Sequence, residues 1–313
     1  MARVEALCVA GKKGARKHPV DSAEFIAGSG IEGDAHAGNW HRQISLLSME
    51  DIETVKNGSL PDIGYGDFAE NVIFSGLDLA EFGLGTRIRL GNDVEITITQ
   101  RGKICHNPCG IFRQTGDCIM PRLGLFARVE SSGTVKAGES AEVLEIIGPE
   151  VFQAAVLTIS DRCSRGEAED TAGPAVCMKL QDSLDVHIYR NEIIPDDQSE
   201  IEARIRHYCD GHTVDFVLTV GGTGFSPRDV TPEASRAVIE RLTPGLDEAM
   251  RAASLLKTPR AMLSRGTSGM RGSTLILNLP GSKKAAVENL DAVIGSLRHG
   301  ILKLRGDDTD CGN

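Results

Sequence analysis

A glycine-rich loop and two aspartates carry the strongest chemical signal in this sequence. The loop at residues 221–224, Gly-Gly-Thr-Gly, follows the apolar run "VLTV", and Asp229 follows the loop at a short distance. Asp196 belongs to a separate segment, "IIPDD". Glycines adopt a positive φ readily and let backbone N–H groups approach a ligand closely, which is typical of a phosphate-binding turn. The loop also fits a plain structural turn, since it is neither a Walker A motif nor a dinucleotide fingerprint.

The two aspartates favour the phosphate-binding interpretation. Two carboxylates about 4 Å apart repel by about 4 kcal/mol at an effective dielectric constant of 20, so such a pair is stable when it shares a cation or a proton. Mg²⁺ binds one or two carboxylates and completes its shell with water and substrate phosphates. This combination predicts a phosphoryl- or nucleotidyl-transfer site with Asp196 and Asp229 as metal ligands. In the alternative interpretation Asp196 caps the following helix and Asp229 pairs with an arginine.

The second half of the chain has the elements needed to bring these residues together. Apolar runs such as "FQAAVLTIS" and "VDFVLTV" alternate with helical stretches, which predicts an α/β sheet of mostly parallel strands. Loops at the carboxyl ends of such strands converge on one crevice. The candidate substrate-binding and catalytic residues on these loops are Ser160, Asp161, Asp196, Gly221, Gly222, Thr223, Gly224, Ser226, Asp229, Pro280, Gly281 and Ser282.

The first half is β-rich instead. The segment "TRIRLGNDVEITITQRGKIC" alternates apolar and polar residues on both sides of a turn at 91–93, as in a β-hairpin. Many short strands punctuated by glycine favour a barrel or a folded sheet. We therefore expect two domains, at 1–147 and 153–313, joined by a linker at 148–152.

A cluster of cysteines in the first half allows three interpretations. The cluster consists of Cys105, His106, Cys109 and Cys118. Thiolates and an imidazole suggest a Zn²⁺ site, although the spacing matches no common zinc module. Arg101, Lys103 and His106 would instead lower the pKa of Cys105 and make it a reactive thiolate. In the third interpretation the thiols are simply buried.

Composition excludes several function classes. The 313 residues carry a formal net charge of −10, and no basic stripe is available to bind nucleic acid. No run of about 18 apolar residues predicts a membrane span, and the N-terminus does not resemble a signal peptide. Eight cysteines without such a signal suggest reduced thiols in a cytoplasmic protein.

Residues 152–306 resemble the MogA/MoaB-type molybdopterin adenylyltransferases of molybdenum cofactor biosynthesis. The resemblance is carried by "TISDRCSRGEAEDTAGP", "IIPDD", "TVGGTGFSPRDVTPEA" and "MLSRGTSGMRGSTLILNLPGSKKA". It implies a three-layer α/β fold, commonly trimeric, that joins molybdopterin to AMP from ATP. Asp196 and Asp229 match the family's catalytic aspartates. The matching binding positions are Gly221 to Gly224, Ser226, Ser264 and Pro280 to Ser282.

Residues 3–145 resemble the MOSC domain, through "IEGDAHAG", "HRQISLLS", "GDFAENVIFSGLDLAEFGLGTRIRLG" and the cysteine segment. That family is a β-rich fold proposed to bind molybdenum cofactor or to carry sulfur. Cys105 falls where the family has its characteristic cysteine. His36, His41 and Arg101 are candidates for lining the pocket, with a plain structural role as the alternative for each histidine.

Together the two resemblances imply one enzyme of molybdenum cofactor biosynthesis, with Mg²⁺, ATP and molybdopterin at its second domain. Other proteins of that pathway would be its partners, and the chain would form a homo-oligomer. A rival hypothesis is a carrier that holds molybdopterin or finished cofactor without catalysis. In a third hypothesis, the first half of the chain is a zinc- or iron-binding sensor.

Overall fold

The computed structural model describes residues 2–58, 60–103, 112 and 118–306. The chain divides into two compact units, Met1–Glu150 and Val151–Asn313. Among the described residues, none of the helices has the length and hydropathy of a membrane-spanning segment.

The first unit is β-rich, as predicted. Its strands are β1 (Arg3–Val9), β2 (His18–Val20), β3 (Ser22–Ile26), β4 (Gly30–Ile31), β5 (Ile44–Ser48), β6 (Val72–Ser75), β7 (Arg87–Leu90), β8 (Val94–Arg101), β9 (Leu125–Val129), β10 (Gly133–Lys136) and β11 (Ala141–Glu145). Its helices are α1 (Met49–Gly58), a 3₁₀ turn at Leu79–Glu81, and α2 (Met120–Leu123).

Eight of these strands form one sheet in the order β11-β7-β8-β9-β5-β6-β1-β2, and β10, β3 and β4 form a second. The predicted hairpin is confirmed, since β7 and β8 pair in antiparallel fashion around residues 91–93. The larger sheet folds over. The Val4 N–H donates to the Glu139 carbonyl (2.8 Å), so β1 also contacts the segment that leads into β11, at the other end of the strand order.

The second unit is an α/β domain. Its strands are β12 (Phe152–Ile159), β13 (Val186–Ile194), β14 (Phe216–Val220), β15 (Arg241–Leu242), β16 (Ser268–Arg271) and β17 (Thr274–Leu279). Its helices are α3 (Asp161–Ser164), α4 (Ala172–Ser183), α5 (Gln198–Arg206) with a π-helical extension at His207–His212, α6 (Thr231–Val238), α7 (Pro244–Leu255), a 3₁₀ turn at Pro259–Leu263, and α8 (Lys283–Leu304).

The sheet order is β13-β12-β14-β17-β16-β15, in which the first four strands are parallel and the last two antiparallel. Every residue of β12, β14 and β17 is buried, as expected for parallel strands covered on both faces. Helices α4 and α8 pack against each other and bury Val176 and Leu290 in the core of this unit. This rigid sheet positions the loops at its carboxyl edge.

Candidate functional site

The loops that follow β12, β13, β14 and β17 meet at the carboxyl edge of the sheet. The Ser160 N–H donates to the Ile194 carbonyl (2.9 Å), and the Gly221 N–H donates to the Leu279 carbonyl (3.0 Å). A Cβ atom on Gly281 would lie 3.2 Å from the Gly221 Cα atom. The four loops named from the sequence therefore form one site.

Asp161 and Asp196 exchange hydrogen bonds, because the backbone N–H of each donates to the carboxylate of the other. The Asp161 N–H donates to Asp196 Oδ2 (2.8 Å), and the Asp196 N–H donates to Asp161 Oδ1 (3.1 Å). The Arg228 guanidinium donates to both Asp161 carboxylate oxygens, at 3.0 and 2.9 Å. Asp161 thus has a cationic partner, whereas Asp196 keeps its Oδ1 atom for a further ligand. The alternative role of Asp196 as a helix cap is wrong, because Asp197 caps α5 through the Glu200 N–H.

The glycine loop runs between Asp196 and Asp229. Gly222 has a φ of +63°, and a Cβ atom there would lie 2.3 Å from Thr231 Oγ1 and 3.2 Å from Asp196 Oδ1. A Cβ atom on Gly224 would lie 2.9 Å from Asp229 Oδ2. Within the described part of the chain, the N–H groups of residues 222–224 have no hydrogen-bond partner. They are available for an anion beside two carboxylates.

Asp229 lies on a turn that follows this loop. The Ser226 N–H donates to Asp229 Oδ2 (2.9 Å), and the Asp229 N–H donates to the Ser226 carbonyl (2.9 Å). The carboxylate of Asp229 therefore accepts a hydrogen bond from within its own turn. The neighbouring Arg228 pairs with Asp161 instead. Among the described residues no arginine forms an ion pair with the Asp229 carboxylate, which contradicts the alternative interpretation of Asp229.

Sequence reasoning missed Arg265. Its side chain donates to the carbonyls of Gly224 and Asp229 and to the carboxylate of Glu233. Arg265 directly follows Ser264, a predicted binding residue, in one of the segments that carry the resemblance. This adjacency is the sequence feature that could have indicated a role for Arg265.

The electrostatic environment shifts the pKa values of the neighbouring Asp196 and Asp161 in opposite directions. Burial raises the pKa of Asp196, and the negative charges of Asp161 and Asp229 raise it further. The hydrogen bonds from Arg228 lower the pKa of Asp161. Asp196 is therefore the carboxylate that gains most from a bound cation.

The donor set at this edge fits Mg²⁺. Asp196 Oδ1 and Asp229 Oδ1 accept no hydrogen bond from the residues that the structure describes. The buried Thr231 Oγ1 also lacks a partner there. Hard oxygen donors without thiolate or imidazole suit Mg²⁺ rather than a softer metal.

A cleft of about 280 Å³ adjoins the glycine loop. Four predicted residues line it together: Thr223, Gly224, Ser264 and Pro280. Arg251 and Arg260 add positive charge to its walls, whereas Lys257 is paired with Glu288 of the same lining (3.1 Å). Two other predicted residues also have a structural role. The side chains of Ser160 and Ser282 accept hydrogen bonds from backbone N–H groups and so cap the N-termini of α3 and α8.

The first unit has a separate cavity of about 160 Å³. Its lining includes His36, Trp40, Arg42, Asn71, Lys103 and Phe126. His36 Nδ1 lies 3.3 Å from Asp34 Oδ1, and the Arg42 guanidinium lies 5.0 Å from the Trp40 ring centroid. The cavity therefore combines cations with an aromatic face.

Other residues predicted for this pocket have different positions. Arg101 donates to the carbonyls of Ala80 (3.0 Å) and Phe82 (2.5 Å) and does not line the cavity. His41 contacts Gln100 at 3.0 Å. Cys118 is buried. The remaining members of the cluster, Cys105, His106 and Cys109, lie outside the described residues.

Two protein families match this chain. The "Probable molybdopterin binding domain" matches residues 155–299, and the MOSC domain matches residues 33–142.

The relatives match the second unit. The molybdopterin adenylyltransferase of Helicobacter pylori (strain J99) is 39% identical over 153 residues, which are 49% of this chain and 87% of that protein. The Escherichia coli K12 protein of the same name is 42% identical over 139 residues, 44% of this chain and 71% of the relative. The Drosophila melanogaster molybdenum cofactor synthesis protein cinnamon is 41% identical over 153 residues, 49% of this chain, and the match spans only 25% of that protein. The crystal structure of MoaB from Thermus thermophilus is 45% identical and covers 50% of this chain and 98% of its own, with a TM-score of 0.48.

Proposed function

Because the chain belongs through its second unit to the molybdopterin adenylyltransferase family, we propose that it transfers AMP from ATP to molybdopterin in molybdenum cofactor biosynthesis. The observation that supports this most is the pair Asp196 and Asp229, which flank the glycine loop at the carboxyl edge of the sheet. We assign residues 1–147 to a MOSC domain, 148–152 to a linker and 153–313 to the adenylyltransferase domain.

The reaction needs no side-chain nucleophile. The terminal phosphate oxygen of molybdopterin forms the new bond to the α-phosphorus of ATP, the bond from that phosphorus to the bridging oxygen breaks, and pyrophosphate leaves. Asp196 and Asp229 would hold Mg²⁺, which supplies charge neutralisation to the phosphates when bound. The N–H groups of residues 222–224 orient a phosphate by hydrogen bonds, and the cleft beside Ser264 takes the remainder of a substrate.

The test is a direct assay of the purified full chain with molybdopterin, ATP and Mg²⁺. We expect pyrophosphate release and an adenylylated pterin, detected by mass spectrometry. Asp229→Asn should lower turnover at least about 100-fold while leaving the melting temperature within about 2 °C, since it removes a metal ligand at a half-exposed position. Asp182→Asn, an exposed aspartate on α4, is the matched control and should be fully active.

The rival function, a carrier without catalysis, predicts a different result. Molybdopterin would bind, no pyrophosphate would appear with the wild-type chain, and Asp229→Asn would change nothing but affinity. That outcome would refute the enzymatic proposal. A homotrimer formed through the second unit is part of the proposal, and sedimentation velocity tests it.

For the first unit we propose that the cavity binds molybdenum cofactor or handles its sulfur. Arg42 and Lys103 suit an anionic phosphate, and Arg42 lies over the ring of Trp40, which also lines the cavity. Trp40 is the single tryptophan of the chain, so its fluorescence reports on this cavity alone. Quenching by cofactor that is lost in Lys103→Gln supports the assignment, and unchanged fluorescence in the wild type contradicts it.

A further inference from the structure

The turn at residues 224–229, which carries Asp229, is exposed, and its own side chains attach it to the rest of the unit through the pair of Arg228 with Asp161. Phe225 is 68% exposed, and Ser226, Pro227 and Arg228 are exposed as well. The hydrogen bonds within the turn are local ones between Ser226 and its neighbours. A turn whose backbone makes only local bonds, and whose one long-range ion pair is made by the exposed Arg228 side chain, does not by itself fix a carboxylate at a set distance from another element.

Arg265 supplies a second long-range attachment, and this one holds the backbone of the turn. Its Nε–H donates to the Gly224 carbonyl (2.7 Å), its Nη2 donates to the Asp229 carbonyl, and its own backbone N–H donates to the Thr223 carbonyl (3.0 Å). The guanidinium thus joins both ends of the turn. Its Nη1 donates to Glu233 in the first turn of α6, which anchors the arrangement to a helix.

These contacts assign the arginine to the protein rather than to a substrate. Each of its three nitrogen atoms already donates to a protein oxygen, and Glu233 balances its charge. A planar fork can bridge two carbonyls and a carboxylate at once, whereas a lysine ammonium is a point charge on a flexible stem and cannot reproduce that geometry.

We propose that Arg265 is a positioning residue that sets the place of the Asp229 carboxylate relative to Asp196 by clamping the 224–229 turn. This rests on the proposed function for its catalytic consequence, but the clamp itself is a property of the chain. Without the clamp only the Arg228 side chain ties the turn to the Asp161–Asp196 pair, so the Asp229 carboxylate is held less firmly and a divalent cation would bind more weakly.

The experiment compares Arg265→Gln and Arg265→Lys with the wild type and with Arg241→Gln, an exposed arginine on β15 that serves as the control. Hydrogen–deuterium exchange is measured at the amides of Ser226 and Asp229, which are both hydrogen-bonded within the turn. Metal dependence is measured as the Mg²⁺ concentration that gives half-maximal pyrophosphate release.

In Arg265→Gln we expect at least about tenfold faster exchange confined to the turn, and at least about a tenfold higher half-activating Mg²⁺ concentration. Arg265→Lys should restore neither fully, and Arg241→Gln should match the wild type. Unchanged exchange in Arg265→Gln would overturn the proposal, as would full rescue by lysine or faster exchange spread evenly over the whole unit. If the wild type releases no pyrophosphate, the proposed function fails while the exchange measurements still decide the clamp.

Discussion

Gly222→Ala is the sharpest test of how closely the glycine loop is fitted to its neighbours. Gly222 has a φ of +63°, and the added methyl group would lie 2.3 Å from Thr231 Oγ1 and 3.2 Å from Asp196 Oδ1. Thr231 is fully buried and Asp196 is held by its bonds to Asp161, so neither neighbour can withdraw easily.

Two costs add at this position. A left-handed conformation costs a non-glycine residue about 1–2 kcal/mol. Overlap in a packed site costs about 1–3 kcal/mol more. We therefore expect the second unit to lose about 2–5 kcal/mol of unfolding free energy, and turnover to fall at least about tenfold because Asp196 Oδ1 is displaced.

Gly272→Ala is the control that separates these costs. Gly272 also has a positive φ, +54°, but a Cβ atom there would have no neighbour within 4 Å. It should lose only the conformational contribution, about 1–2 kcal/mol, and keep its activity. Urea denaturation followed by circular dichroism, together with the pyrophosphate assay, measures both quantities. Equal destabilisation by the two substitutions would refute the argument, because the overlap at Gly222 would then have no consequence.

Three further predictions concern ionisable groups. Burial raises the pKa of Glu70 to about 7, above its ordinary 4.5. The contribution of Glu70 to the free energy of unfolding of the first unit should therefore be greatest below pH 4.5, and about 3 kcal/mol of it should be lost as the pH rises through 7. Urea denaturation at pH 5 and 8, followed by Trp40 fluorescence, should show this loss in the wild type, whereas Glu70→Gln should remove it. Lys17→Met should cost about 3 kcal/mol in the same assay, since it leaves the fully buried Asp34 without its cation, and a change below about 1 kcal/mol would contradict this. Since the pKa of Asp196 is raised, protons compete with metal there, and the half-activating Mg²⁺ concentration should rise as the pH falls; a constant value would contradict the metal assignment.

The buried parallel strands were predictable because their sequences are almost wholly apolar. The antiparallel pair β15 and β16 was not, since β15 has two residues and β16 reads Ser-Gly-Met-Arg, with little intrinsic strand preference. β16 forms because β17 offers it a paired edge. Helix α7 was missed although Pro244 stands at its first position, a recognisable start signal.

At the site, the convergence of the four loops followed from the α/β pattern, and so did the closeness of Asp196 to the glycine loop. The reciprocal bonds between Asp161 and Asp196 did not, because they depend on the relative position of residues 35 apart in the chain. The clamp by Arg265 joins residues 36 and 41 apart, and its direction depends on the path between α7 and β16, which the sequence pattern did not resolve.

The two aspartates are held in opposite ways, and the difference explains the charge of the site. Asp196 is fixed by its exchange of bonds with Asp161, whereas Asp229 lies on an exposed turn. Arg228 belongs to that same turn and pairs with Asp161, so it connects the turn to the fixed pair and cancels one of the three carboxylate charges. Two negative charges remain, on the two groups whose oxygens face the glycine loop. A bound divalent cation would neutralise both, whereas a monovalent cation would leave in place part of the repulsion that, together with burial, raises the pKa of Asp196.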